Sequence, residues 1–210
     1  MKTDIIYGKS IDTNEIKYIG VVESGEKCNC ICIDCSNTLV AVNKKGNKQK
    51  PHFRHKAKLN CSGGIETAIH LLAKKIVVEN NKIALPNNRY FTYNKSKSEV
   101  PLIDYTPDVI IQNTENGEKW LIEIAVTHPV EDNKKNKIVR DKNNCLEINL
   151  KNIDRNISPE KLREIVLNDF SNRKTIYDNK KTESNLFEYF IYLLLGFIMF
   201  RIIKRNIKKL

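Results

Sequence analysis

Two acids sit in runs that are otherwise apolar. In YTPDVIIQNTENGEKWLIEIAVTH (105–128), Asp108 heads one apolar run and Glu123 lies inside the next. Side chains alternate across a strand, so Leu121, Glu123, Ala125 and Thr127 share one face, while Ile122, Ile124 and Val126 share the other. The second set is branched and apolar, fit for burial under a helix, which gives Glu123 separate surroundings. A hairpin turn through NTENGE brings the Asp108 strand back beside it. Two carboxylates at adjacent strand ends suit one or two Mg²⁺ (or Mn²⁺) ions, hard cations that prefer oxygen ligands and keep water for chemistry. Such an ion polarises a phosphodiester, generates hydroxide and steadies the leaving oxygen. The competing reading is plain: Asp108 follows Pro107 in a turn, and Glu123 is an edge-strand charge that favours solubility.

A second group of residues has metal-binding spacing. Cys32 and Cys35 form a C-x2-C knuckle of the kind that holds tetrahedral zinc, and Cys28, Cys30, His52, His55 and Cys61 lie within reach along the chain. The preferred set is Cys32, Cys35, His55 and Cys61, with Cys30 as the alternate ligand. If 28–32 were extended, Cys28, Cys30 and Cys32 would all face one way, a crowding that argues against inert thiols. Zinc there would be structural, fixing an N-terminal lobe with little apolar content of its own. Uncoordinated reduced thiols are the alternative, and Cys145, at the head of a strand, is expected to be core.

The elements that must position these groups follow from periodicity. Short alternating segments precede the cysteines, and NTLVAV reads as a strand. The polar, basic stretch NKKGNKQKPHFRHKAKLNCSGG reads as loop; His52 and Phe53, set among Lys48, Lys50, Arg54, Lys56 and Lys58, would there contact phosphate and stack a base, or Phe53 would pack inward. ETAIHLLAKKIVVEN has helical spacing, with Ile65, Ile69, Leu72, Ala73, Ile76 and Val77 on one stripe and Glu66, His70 and Lys74 in an adjacent row. Runs from Asp108 to Gln112 and from Trp120 to Thr127 are strands, a partly helical polar segment follows, and CLEINL (145–150) is the next strand. That strand–helix–strand order predicts a parallel pair. SPEKLREIVLNDF opens with Ser158 as N-cap and Pro159 at the first helical position, so it is a helix. The expected organisation is a cysteine-rich zinc-ribbon-like lobe over 1–62, an α/β core over 63–172, a linker over 173–185 and a tail over 186–210.

Taken in order, CNCICIDC, LVAV, PHFRHKAKLNCSGGIETAIHLLAKKI, PDV, IEIAVTH, NKKNKI and CLEINL resemble the CoiA-like competence proteins of the PD-(D/E)XK nuclease superfamily over roughly residues 20–170. The resemblance implies a restriction-endonuclease-like α/β fold and a metal-dependent DNA nuclease acting in DNA processing or uptake-linked recombination. It maps the acid after proline onto Asp108, the second acid onto Glu123 and the helix acid onto Glu66, with His70 and Lys74 on the same helix. Ala125 departs from it, because the superfamily usually carries lysine there to orient the attacking water and offset developing charge. Replacements are Lys74 from the helix, Lys134 or Lys137 from the following segment, or His70 or His128 acting as base or acid. A catalytically degenerate fold that only binds DNA, or scaffolds at a membrane, is the alternative; equally, Glu66 and His70 would form a surface pair on an ordinary helix.

The 210-residue chain carries a net charge of +11, which suits DNA or an anionic membrane, although an excess of lysine spread everywhere would do the same. MKTDIIYGKSID has no apolar signal region, so the chain is expected to be cytoplasmic with its six cysteines reduced. Residues 186–203 are nearly all apolar and a basic end follows, which reads as a membrane anchor, an in-plane helix on anionic lipid, or a helix buried against protein.

Overall fold

The computed structural model describes residues 4–44, 46, 49–57, 61 and 63–180. The apolar tail, 186–210, lies outside them, as do Lys48 and Lys58 of the basic loop. Among the described residues no helix is long and apolar enough to cross a membrane.

The chain is a mixed α/β fold with several small sheets. A hairpin of β1 (Tyr7–Ser10) and β2 (Ile16–Tyr18) is joined by β3 (Cys30–Ile31) in the order β2-β1-β3. Next come β4 (Leu39–Val42) and β5 (His52–His55), an antiparallel pair. The stretch expected to be loop therefore contains a strand. Its alternation is masked by flanking lysines, and Phe53 is its inward-facing residue, 2% exposed. Phe53 packs inward and does not offer a stacking platform.

Helix α1 (Ile65–Val78) starts where Gly63 and Gly64 take positive φ. A side chain at either would collide: a Cβ at Gly63 would sit 2.5 Å from Ile5 Cγ1, and one at Gly64 2.9 Å from the Asp34 backbone nitrogen. The double glycine thus permits both the turn and the close approach of α1 to the cysteine corner. The expected stripe is buried, with Leu72 only partly so, and Lys74 is buried beside it. A second hairpin, β6 (Lys82–Leu85) and β7 (Arg89–Thr92), leads to the main sheet.

That sheet runs β12-β11-β10-β9-β8 and is built from β8 (Lys95–Ser98), β9 (Val109–Gln112), β10 (Lys119–Ala125), β11 (Cys145–Asn149) and β12 (Arg173–Tyr177). Helix α2 (Asp132–Arg140) makes the crossover from β10 to a parallel β11, as the strand–helix–strand order requires. Helix α3 (Pro159–Asn168) is capped by the Ser158 side chain, which accepts from the Lys161 backbone N–H at 3.4 Å, and Pro159 opens it. Residues 173–177, expected to be linker, form the edge strand β12 instead.

The sheet is covered on both sides. Ile122, Ile124 and Val126 join the large core with Ile69, Ala73 and Val77 of α1 and Leu162 and Val166 of α3. On the other face Leu121 and Cys145 pack with Ile138 of α2 and Tyr105. The large core also takes in Tyr7, Ile19, Leu39 and Phe53, and Tyr7 donates its hydroxyl to the Ile157 carbonyl at 2.6 Å. With both faces covered, β10 is an almost continuous apolar run, and that is why a carboxylate within it is conspicuous.

Candidate functional site

The cysteine–histidine corner comes together as expected. Cys32 and Cys35 flank the turn after β3, His55 ends β5, and Cys61 lies just before the glycines of α1; one ligand atom from each falls within 4.8 Å of all the others. The Cys32 and Cys61 sulfurs are 3.7 Å apart, against the ~3.8 Å edge of a tetrahedron with Zn–S bonds of about 2.3 Å. Cys35 Sγ lies 3.2 Å from His55 Nε2, a little inside the ~3.5 Å expected for sulfur and nitrogen on one zinc. Three sulfurs and an imidazole at this spacing fit a metal ion and are compatible with structural zinc.

Charge in the corner is unevenly held. Burial raises the Cys35 thiol, but hydrogen bonds from the Asn37 side chain and backbone, and from Cys61 and Cys32, bring it down to about 6. The Gly63 N–H lowers Cys61, yet burial, Cys35, Cys32 and the Asp34 carboxylate push it up to about 12. The protein alone thus favours a thiolate at Cys35 while opposing one at Cys61, whereas a bound cation would let all three ionise.

Cys30, the alternate ligand, is not part of the corner. Its thiol donates to the Cys28 carbonyl at 3.0 Å and is fully buried, and the Cys28 thiol donates to the Leu39 carbonyl at 3.4 Å. The 28–32 run is not extended: Cys28 ends a tight helical turn and Asn29 takes φ +46°. That twist breaks the alternation, so Cys28 and Cys30 are ordinary buried thiols. His52 points away as well, its Nδ1 2.8 Å from the Lys50 carbonyl.

The acidic site lies at the ends of the central strands. Ile122 pairs with Val109, so one step further along the same antiparallel register sets Asp108 opposite Glu123. On the other side, Glu123 pairs in register with Glu147 of the parallel strand β11. Asp108, Glu123 and Glu147 therefore form a row across three adjacent strands, spaced by about 5 Å per strand. Glu123 is 3% exposed and Glu147 1%. Glu147 was not anticipated, although the sequence carried the signal: it is the lone acid inside the apolar run CLEINL, as Glu123 is in its own.

Each acid has its own protein partner. Asp108 Oδ2 accepts from His70 Nε2 at 3.1 Å and from the Ile124 backbone N–H at 2.8 Å. Burial pushes Asp108 up, but the His70 bond and charge, the Ile124 N–H and the Lys74 charge together hold it below its usual range. Glu123 Oε2 accepts from Lys134 Nζ at 2.7 Å, whereas its Oε1 is buried with no hydrogen-bond partner. Burial dominates there and raises Glu123 to about 7 against the opposing pull of Lys134, with the neighbouring Asp108 charge adding to the rise. Glu147 Oε2 accepts from the Val130 backbone N–H at 2.7 Å, which ties the start of the α2 crossover to the sheet.

Of the five residues expected to act together, His70 and Asp108 are in contact, and Glu123 lies one register step beyond the Ile122–Val109 pair from Asp108. Lys74 lies on the same helix row but bonds Glu99 Oε1 at 2.6 Å, away from Glu123. Glu66, half-exposed, lies 3.3 Å from Arg155 and not among the acids. Among the other cations considered, Lys134 meets Glu123, Lys137 binds the Asp104 carbonyl at 2.9 Å, and His128 is exposed. Among the described residues the cysteine–histidine corner is the group that brings three or more ligand-type atoms within 4.8 Å of one another; the acidic row is more spread out. No protein-family model, curated protein or solved structure matches the chain.

Proposed function

We propose that this chain is a divalent-metal-dependent deoxyribonuclease with a PD-(D/E)XK-like core, similar to the CoiA competence proteins, and that structural zinc holds its cysteine–histidine corner. The observation that carries the reading is the Glu123 carboxylate, sunk in a two-sided apolar strand with Oε1 unpartnered and Asp108 opposite it. A buried carboxylate oxygen with no donor is costly unless a proton or cation meets it. When bound, Mg²⁺ or Mn²⁺ would supply the activated water and polarise the phosphodiester. Asp108 and Glu123 would hold that ion, and His70 orients Asp108 through its 3.1 Å contact. Lys134, reaching Glu123 from α2, supplies the positive charge that Ala125 cannot. DNA is the partner that the +11 charge suits.

The test is cleavage of single- and double-stranded DNA by the full chain in Mg²⁺ and in Mn²⁺, compared with Asp108→Asn. Loss of at least ~100-fold in rate is expected, on the scale of removing one preorganised charge-stabilising group; equal rates would overturn the assignment. A second reading, a degenerate nuclease that binds DNA without cutting it, draws on Ala125 and on the two acids already being engaged by His70 and Lys134. It predicts salt-sensitive DNA binding and no turnover in any metal. Membrane attachment through 186–210 belongs to the proposal as well: deleting that segment should release the protein from membrane fractions, and a wholly soluble full-length chain would remove the anchor.

A further inference from the structure

Lys74 and Glu99 are an unequal pair. The Lys74 side chain is 8% exposed and that of Glu99 65%, with 2.6 Å between nitrogen and oxygen. A buried ammonium ordinarily meets a buried anion, because taking it out of water is otherwise unfavourable. Here its counter-charge is a carboxylate that solvent can reach. Glu99 is also a non-glycine residue at φ +52°, a region that side chains with a Cβ seldom occupy. Its backbone N–H donates to the Asp108 carbonyl at 3.0 Å, so the strained residue sits directly against the acidic site. The charges at this place feel one another: Glu99 is lowered by Lys74 first, with Asp108 and His70 acting on it too, and Lys74 in turn lowers Asp108. Lys74 follows His70 by one helical turn, on the same side of α1.

From this geometry we infer that Lys74 is the core of a phosphate-binding subsite beside Asp108 and that the Glu99 carboxylate occupies it as a stand-in anion, which a phosphate group of the nucleic acid displaces. The inference deepens the nuclease reading and rests on it for the identity of the phosphate donor, but not for the existence of the subsite. A phosphate brings oxygen acceptors and negative charge to the place the carboxylate fills, and an ammonium binds either as a point charge. Displaced, Glu99 lies where water can solvate it, so the exchange strands no buried charge. The competing account is a structural tie that pins the β8–β9 connection to α1. The two accounts give opposite signs for removal of the carboxylate.

The experiment measures binding of inorganic pyrophosphate and of a short DNA oligonucleotide to the full chain without added Mg²⁺ or Mn²⁺, so hydrolysis does not intervene. Glu99→Gln should bind both probes more tightly, by about 2- to 5-fold, the scale of an ion pair of this exposure. Its plot of log affinity against log salt for DNA should keep its slope, since the phosphate reaches Lys74 in both proteins, whereas Lys74→Met alone should flatten it by about 0.7–0.9, one phosphate contact fewer. Glu99→Gly, which also relieves the positive φ, should show the same gain, and Lys74→Met added to either variant should erase it. Unchanged or weaker binding in both Glu99 variants overturns the subsite, as does failure of every variant to bind either probe. If pyrophosphate shows the gain while Asp108→Asn leaves DNA cleavage untouched, the subsite stands and the nuclease reading falls; if Asp108→Asn abolishes cleavage and the Glu99 variants gain nothing, the reverse holds.

Discussion

The cysteine–histidine corner and the acidic row both collect ligand-type side chains, but they treat charge in opposite ways. In the corner, four ligand atoms face one another within 4.8 Å. Along the row, the acids stand side by side on successive strands, and protein groups answer them one by one: His70 for Asp108, Lys134 for Glu123, the Val130 N–H for Glu147. The corner thus has the spacing to hold an ion, and an ion bound there would add directly to its stability. The row is folded and mostly satisfied without one, so the loss of any ion there should leave the fold standing.

The strongest break of this comparison is metal removal. Stripping zinc with a chelator, or replacing Cys61 by Ser, should destabilise the whole chain by more than about 3 kcal/mol, because binding energy at a structural zinc site is folding energy. The corner joins β3, β5 and the entrance of α1, and one continuous core runs from these elements to the sheet, so a single cooperative loss is expected. Denaturant unfolding with and without zinc checks this, beside elemental analysis of the purified protein. Equal midpoints would mean that the corner is held by packing alone. The same treatment applied to the row, withholding Mg²⁺ and Mn²⁺, should leave the unfolding midpoint in place.

Glu123 sharpens the contrast by its pH dependence. Its carboxyl is raised to about 7 in the folded chain from an ordinary value of 4.5, chiefly by burial. An acid whose folded value lies above its unfolded one binds more protons in the native state across that interval. Its contribution is therefore fully present below about pH 4.5 and is lost as pH rises through 7. Glu123→Gln removes this dependence and should make the metal-free protein more stable at pH 8 than the unaltered chain, by up to about 3 kcal/mol, while ending cleavage. Lys134→Met should do the opposite at pH 8, leaving a buried carboxylate without its cation, and its cost should fade at pH 5 as Glu123 takes up a proton. Paired pH titrations of the unfolding midpoint for the two variants decide the matter. A Glu123→Gln variant that is less stable at pH 8 would show that the Lys134 pair outweighs desolvation.

How far these sites could be read from the sequence depends on how far each was local. C-x2-C spacing, the double glycine and the alternation around Glu123 are short-range signals, and they led to the corner, to α1 and to the buried acid. The edge strands were not legible. β8 reads KSKS and β12 reads RKTIY, because an edge strand buries little and uses lysine to discourage further pairing, so the apolar period that marks a strand is missing. β5 hid behind flanking lysines for a related reason. Partner choice was the least legible of all. The row Glu66–His70–Lys74 is real, yet the three side chains go to Arg155, Asp108 and Glu99, residues 38 or 89 positions away in two cases and 25 in the third. Spacing on one helix fixes which groups share a side; it does not say which elements lie opposite them. Cys30 failed as a ligand over a shorter distance: its thiol turns to the Cys28 carbonyl.

Glu66 supplies the mildest and most discriminating prediction. As the acid on the helix it was expected to join Asp108 and Glu123, but it is half-exposed and its contact is Arg155, a residue that also donates to the Val126 and Leu150 carbonyls. Arg155 thus clasps the end of β10 by its backbone contacts, and the Glu66 carboxylate adds only a partly solvated ion pair of 3.3 Å. Pairs of that exposure contribute about 0.2–1 kcal/mol. Glu66→Gln should therefore shift the unfolding midpoint slightly and change the rate of DNA cleavage by less than about 3-fold, far below the effect of Asp108→Asn. A loss approaching that of Asp108→Asn would mean that Glu66 leaves Arg155 when substrate arrives and works at the row. The boundary between the residues that sense the reacting phosphate and those that only brace the sheet would then move one helical turn towards the N-terminus of α1.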